Sequence, residues 1–237
     1  MSMEKDAPRV ERPKLIIPHQ EGTIAFAYPA VGPVIYTDAA RAFIEEAIYH
    51  PTGEEIASLI HAAYCHEATI KEPEFGRVRE IIKNHWLWVF NRNLFAENGV
   101  YVFQDDDGEG IGQPLDEKDL EKMLQNGFEV DNVRFSADNR IRFAPRETYS
   151  FGDKRPDQLA RDGFMIASFG PEGAGKIAEA SSMFTYIPRV LGMDFREDPS
   201  KPQRVTAIRN DSDGLTILGE NLDGKMQGYC YGVIADY

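Results

Sequence analysis

Cysteine is scarce: Cys65 and Cys230 are the only two in 237 residues. They make neither a CxxC motif nor a disulfide framework, so a reducing compartment is expected, with a single bridge left open. Long apolar runs are missing, and nothing approaches the roughly 18 apolar residues that a membrane-crossing helix needs. The opening MSMEKDAPRVERPK has charges and prolines but no apolar segment. No secretory signal is therefore expected, and the chain is assigned to the cytoplasm. Positive charge is in deficit: 26 Lys and Arg face 39 Asp and Glu, for a formal charge of −13. That surface repels nucleic acid and anionic lipid, and it favours cations or basic partners.

What is present is an ordinary globular composition, 42% apolar and 27% charged, with enough apolar surface for a real core. Residues 1–13 read as a loose tail and 14–237 as a single α+β domain, with a boundary near 130/131 as a candidate subdivision. LIIP (15–18) and TIAFAY (23–28) read as strands. A first helix is capped at Thr37 or Asp38 and runs to His50, before Pro51. Thr52 and Glu55 make a capping box, and Ile56, Leu59, Ile60, Ala63 and Tyr64 follow at helical spacing. A third helix starts near Pro73. WLWVFNRNLF (86–95), AENG and VYVFQ (100–104) read as a hairpin, with Trp86, Trp88 and Phe90 on one face.

A fourth helix, about 115–126, ends at Gly127. VDNVRF, SADN and RIRFAP give a second hairpin. A short helix near 156–161 precedes GFMIASF, an apolar strand, and a helix from 171 to about 184. The last third reads as a three-stranded meander, with 194–203 the best internal linker. The expected architecture is therefore an N-terminal helical cluster packed on a mainly antiparallel sheet.

Four stretches carry chemistry. FGPEGAGKI (169–177) has the glycine-lysine spacing of a phosphate loop. However, Ile177 stands where a magnesium-binding hydroxyl belongs, Pro171 lacks an N–H, and Glu172 adds a like charge. Gly-Pro-Glu is also a good helix start, leaving Gly173 and Gly175 to be explained by close packing. The candidate anion site is Gly173, Gly175 and Lys176, joined by Arg140 and Arg142, which alternate with Ile141 and Phe143 on one strand face. The plainer reading of those arginines is a wet strand face.

In HAAYCHE (61–67), His61 and Cys65 are four apart on a helix and can ligate one metal, with further ligands from His50, Glu67 or His85. In QDDDGEGIGQPLD (104–116), Asp105, Asp107, Glu109 and Asp116 fall at positions 1, 3, 5 and 12 of a calcium loop. A strand rather than a helix precedes it, and Gly112 occupies an apolar position. A divalent cation is thus the only cofactor in view. Charge is also asymmetric: residues 104–131 carry ten acids and two lysines, and 134–161 carry seven basic and four acidic side chains.

No nucleophile-base-acid order, convincing metal motif or complete cofactor fingerprint is legible. The reading leans to a non-catalytic binding or assembly protein with a protein partner or self-association. The alternative is an enzyme acting on a phosphorylated or nucleotide substrate at the Gly170–Lys176 helix start.

Overall fold

Strand β1 (Lys14–His19) and strand β2 (Gly22–Ala27) pair antiparallel where the two apolar runs predict. The computed structural model describes residues 14–105, 114–192, 203–211, 214–221 and 226–234. After β3 (Val31–Val34), helix α1 (Tyr36–Glu45) ends short of the expected His50, because Ala47 takes φ 54°, which a right-handed helix cannot continue.

Helix α2 (Gly53–Cys65) begins on the predicted capping box. Glu55 N donates to Thr52 Oγ1 at 3.3 Å, and Thr52 N donates to Glu55 Oε2 at 2.6 Å. Its stripe Ile56, Leu59, Ile60 and Ala63 is fully buried. A short turn, α3 (Glu67–Ile70), leads to α4 (Pro73–Asn84), which starts at the expected proline and buries Phe75, Val78, Ile81 and Ile82.

The first hairpin is β4 (Trp86–Ala96) and β5 (Gly99–Gln104), turning over Glu97 and Asn98. Helix α5 (Glu117–Leu124) is capped by Asp116, whose carboxylate accepts from Lys118 N and Asp119 N. An extra short strand, β6 (Phe128–Val130), comes next, and the expected second hairpin follows as β7 (Val133–Phe135) and β8 (Ile141–Pro145), which pair antiparallel. Asp131 and Asn132, at φ 51° and 62°, make the left-handed two-residue turn between β6 and β7.

After β9 (Gly152–Asp153) and α6 (Pro156–Leu159) comes the main departure from the sequence reading. GFMIASF is helix, not strand: α7 (Gly163–Ser181) contains it, broken at Gly170, where φ is 70° and ψ is 166°. The Asp162 carboxylate caps it by accepting from Phe164 N and Met165 N. Every residue from Gly163 to Gly170 is buried. A helix enclosed on all sides shows no 3.6-residue period, so a short apolar run looks like a strand.

The remaining strands are β10 (Tyr186–Leu191), β11 (Gln203–Asp211), β12 (Gly214–Asn221) and β13 (Gly228–Cys230). The C-terminal strands depart from a simple meander. β11 and β12 form a hairpin, but β13 leaves it to lie parallel to β4 and antiparallel to β3. The predicted linker 194–203 lies almost wholly outside the described residues.

The large sheet runs β6-β7-β8-β5-β4-β11-β12-β10-β9, with β13 and β3 attached beside β4. Its pairs are antiparallel except β10–β12 and β13–β4, so with the flanking helices the class is α+β. Strands from both sides of the 130/131 boundary sit in this one sheet, since β5 pairs β8 and β4 pairs β11. Alternation along β4 assigns the two faces. Leu87 and Val89 pack with α2, α4 and α7, whereas Trp88 and Phe90 pack under Tyr36, Ala39, Ala40 and Phe43 of α1. The aromatic face of WLWVF is therefore core, with Tyr36 and Trp88 rings edge to face at 5.8 Å. Helix α5 covers Tyr101, Ile141 and Phe143 further along.

The second half of α7 runs parallel to α2. Glu54 lies against Gly170, Ala57 against Gly173, Ser58 against Lys176 and His61 against Glu179. A methyl on Gly53 would overlap the Ser168 carbonyl oxygen, and one on Gly173 would sit 3.2 Å from the Ala57 Cβ. Nothing lies within 4 Å of a methyl on Gly175. Gly175→Ala is therefore expected to stabilise the protein by about 0.8 kcal/mol through helix propensity. Gly53→Ala is expected to cost about 2 kcal/mol or more through overpacking. Urea unfolding midpoints of the two variants check this; equal shifts would remove the claimed close approach.

Candidate functional site

The helical seam between α2 and α7 decides the fate of the glycine-lysine segment. Gly170 with Pro171 does start a helical segment, and Gly173 is spent on the approach to Ala57, so the glycine seats the helix against another helix rather than a sheet. Lys176 Nζ pairs with Glu172 Oε1 at 2.6 Å and donates to Ser58 Oγ at 3.1 Å. Lys176 in turn holds the Glu172 carboxyl below the usual carboxylate range. The same Ser58 hydroxyl contacts His19 Nδ1 at 2.9 Å and donates to Glu54 O at 3.1 Å. Burial, then the charge of Lys176, lowers the His19 pKa.

Arg142 and Arg140, expected side by side on a wet face, are separated by environment. Arg142 is 1% exposed. Its Nη2 donates to Glu54 Oε1 at 2.8 Å, its Nε donates to Asn139 Oδ1 at 3.2 Å, and its guanidinium lies 5.2 Å from the Phe135 ring centre. Arg140 is half-buried and lies over the Phe103 ring at 5.4 Å. The chain's own carboxylates, Glu54 and Glu172, therefore sit where the sequence invites an external anion. Arg142 and Lys176 face two successive turns of α2, while Arg140 and Gly175 take no part in that seam.

The acidic segment is divided as well. Asp105 is buried, accepting from Tyr36 Oη at 3.1 Å and pairing with Arg92 Nε at 3.0 Å. Burial raises its pKa, with Arg92, Tyr36 and His50 opposing the shift. Asp116 is the α5 cap. Two of the four expected calcium ligands thus serve the core and a helix end, and Asp107 and Glu109 lie outside the described residues.

His61 and Cys65 do share a face of α2, and α7 brings Glu179 to them. A ligand atom from each of the three lies within 4.8 Å of the others, and His61 Nε2 is 2.9 Å from Glu179 Oε2. Burial, with Glu179 beside it, pushes the Cys65 thiol up to about 11. The additional ligands expected from sequence are elsewhere. His50 Nε2 bonds Ala40 O at 3.0 Å while its ring stacks on Phe90, and His85 packs against Tyr229. Glu67 is exposed on α3. Glu179 carried no sequence signal, because it is 118 residues from His61 and only the helix pairing joins them. Both cysteines are free, and Cys230 is buried.

A row of buried polar side chains crosses the centre. Asn91 Nδ2 donates to Ser168 O at 2.7 Å, Asn93 Nδ2 to Thr206 Oγ1 at 2.9 Å, and Gly53 N to Gln104 Oε1 at 3.2 Å. The first and third tie β4 to α7 and β5 to α2, and the second ties β4 to β11. Near it, an open cleft of about 660 Å³ is lined by Ile44, Ile48, Tyr49, His50, Thr52 and Val233. Among the described residues no helix is long and apolar enough to cross a membrane. Compared with known proteins, the chain matches no family model, and neither a curated protein nor a solved structure matches it.

Removing one partner of the Glu54–Arg142 pair leaves a buried charge uncompensated. Glu54→Ala is expected to cost about 3 kcal/mol. Combining it with Arg142→Met should recover a large part of that loss. Denaturant unfolding of the single and double variants measures it; additive losses would mean that the pair is not coupled.

Proposed function

We propose that this chain is a non-catalytic assembly protein that joins a second copy of itself at the open edge of its large sheet. One observation carries the reading: Met183, Tyr186 and Ile187 are 57%, 63% and 53% exposed, three large apolar side chains within five residues. They lie at the end of α7 and the start of β10. On the outer side of β10, β9 pairs only with Arg189 and Val190, and Lys154 N donates to Pro188 O at 2.9 Å. Among the described residues, no strand pairs with that side at Tyr186 and Ile187. An apolar edge strand is a template for further strand pairing. Antiparallel pairing of this segment with its own copy is self-complementary and closes after two chains.

The competing reading, an enzyme with a phosphate pocket, loses support from the same geometry. Lys176 and Arg142 are already matched by Glu172 and Glu54. The charge of −13 on each copy opposes association, so the contact is expected to be weak and to tighten as salt screens the repulsion. Sedimentation of the wild type should show a concentration-dependent dimer, stronger at higher salt. Tyr186→Lys combined with Ile187→Lys should be monomeric with an unchanged circular dichroism spectrum. A wild type that stays monomeric at every concentration, or a dimer indifferent to both substitutions, would end this reading.

A further inference from the structure

The seam between α2 and α7 ends in a group of donors used neither by the core nor by the proposed assembly edge. His61 and Cys65 stand one turn apart on α2, and Glu179 faces them from α7, with their ligand atoms within 4.8 Å of one another. We propose that His61, Cys65 and Glu179 form a binding site for a zinc-like divalent transition-metal ion, with water in the fourth position.

Three arguments support it. The first is geometry: tetrahedral zinc with nitrogen, oxygen and sulfur ligands at about 2.0–2.3 Å has ligand-to-ligand edges of roughly 3.3–3.8 Å. The present separations, all within 4.8 Å, exceed those edges by no more than about 1.5 Å. His61 and Glu179 would move slightly apart from their 2.9 Å contact, with Cys65 already within 4.8 Å of both. Glu179 is free to do this, because its side chain is 62% exposed.

The second is rigidity of the frame. Two of the ligands are fixed by one helix at the i, i+4 spacing, and the second helix is held by the Ala57–Gly173 approach two turns away. The third is donor chemistry. An imidazole, a thiolate and a carboxylate suit zinc, cobalt or nickel and are a poor set for magnesium or calcium, which take oxygen. On binding, the thiol releases its proton to water as the metal–sulfur bond forms. Thiolate and carboxylate then balance the two charges of the ion. The metal would cross-link the C-terminal part of α2 to that of α7.

The test uses the full chain, stripped of metal with a chelator and kept reduced with a phosphine. Titration with cobalt(II) should give one equivalent bound, a sulfur-to-cobalt charge-transfer band in the near ultraviolet, and visible bands of four-coordinate intensity. Cys65→Ser should lose the charge-transfer band. His61→Ala and Glu179→Gln should weaken zinc binding, read by competition with a chromophoric chelator, by roughly tenfold or more. Glu179→Gln changes an exposed side chain, so its fold is expected to be intact, which thermal unfolding verifies. Zinc should raise the melting temperature of the wild type, and magnesium and calcium should not. The site would be overturned by a folded wild type with no zinc or cobalt binding, by a charge-transfer band that survives Cys65→Ser, or by Glu179→Gln binding zinc as tightly as the wild type.

Discussion

Helices α2 and α7 approach so closely that a side chain has no room at Gly53 and little at Gly173. Large side chains hold two helices apart; small ones let the backbones meet and align the polar groups along the seam. The resulting ladder is Glu54 by Gly170, Ser58 with Lys176, and His61 with Glu179. The break at Gly170 makes it possible, since its φ of 70° redirects α7 so that its second half follows α2. Asn91 and Gln104 then fasten both helices to the sheet through Ser168 O and Gly53 N.

Electrostatics follow from that approach. The chain is acidic overall, yet Arg142 and Lys176 are drawn inward because α2 and α7 offer them Glu54 and Glu172. Burying a guanidinium requires a counter-charge and aligned acceptors, and Glu54 and Asn139 supply them. Asp105 with Arg92 and Tyr36 repeats the arrangement on the other face of β4. Charges that look available in the sequence are thus used to fix elements to one another. Two other features lie at the surface: the apolar start of β10, and the mixed donor group at the C-terminal end of the seam.

The proposed self-association and the proposed ion site each rest on one of these features. The strand edge is apolar and short, which favours a reversible association over an obligate one. The donor group bridges two helices, so an ion there would add stability by cross-linking them. The two are chemically distinct but neighbours on the fold, since Glu179 lies four residues before Met183 and Tyr64, next to Cys65, packs on Phe184 at 4.9 Å.

Local chemistry settled much of the secondary structure in advance. Thr52 with Glu55, Pro73, and the aromatic alternation of 86–95 each express a preference within a few residues, and α2, α4 and the β4–β5 hairpin follow them. Helix α5 forms close to where expected but ends at Leu124 with Gln125 as its C-cap, before Gly127. His61 and Cys65 were legible as a pair because helical spacing alone puts them on one face. Tertiary structure decided the rest. GFMIASF is enclosed on all sides, and burial erases the period that separates helix from strand. The departure of β13 to β4, the inward turn of Arg142 and the arrival of Glu179 beside Cys65 all depend on which distant elements pack together. Propensity acts over a few residues, whereas a partner 118 positions away in the chain is chosen by the shape of the seam.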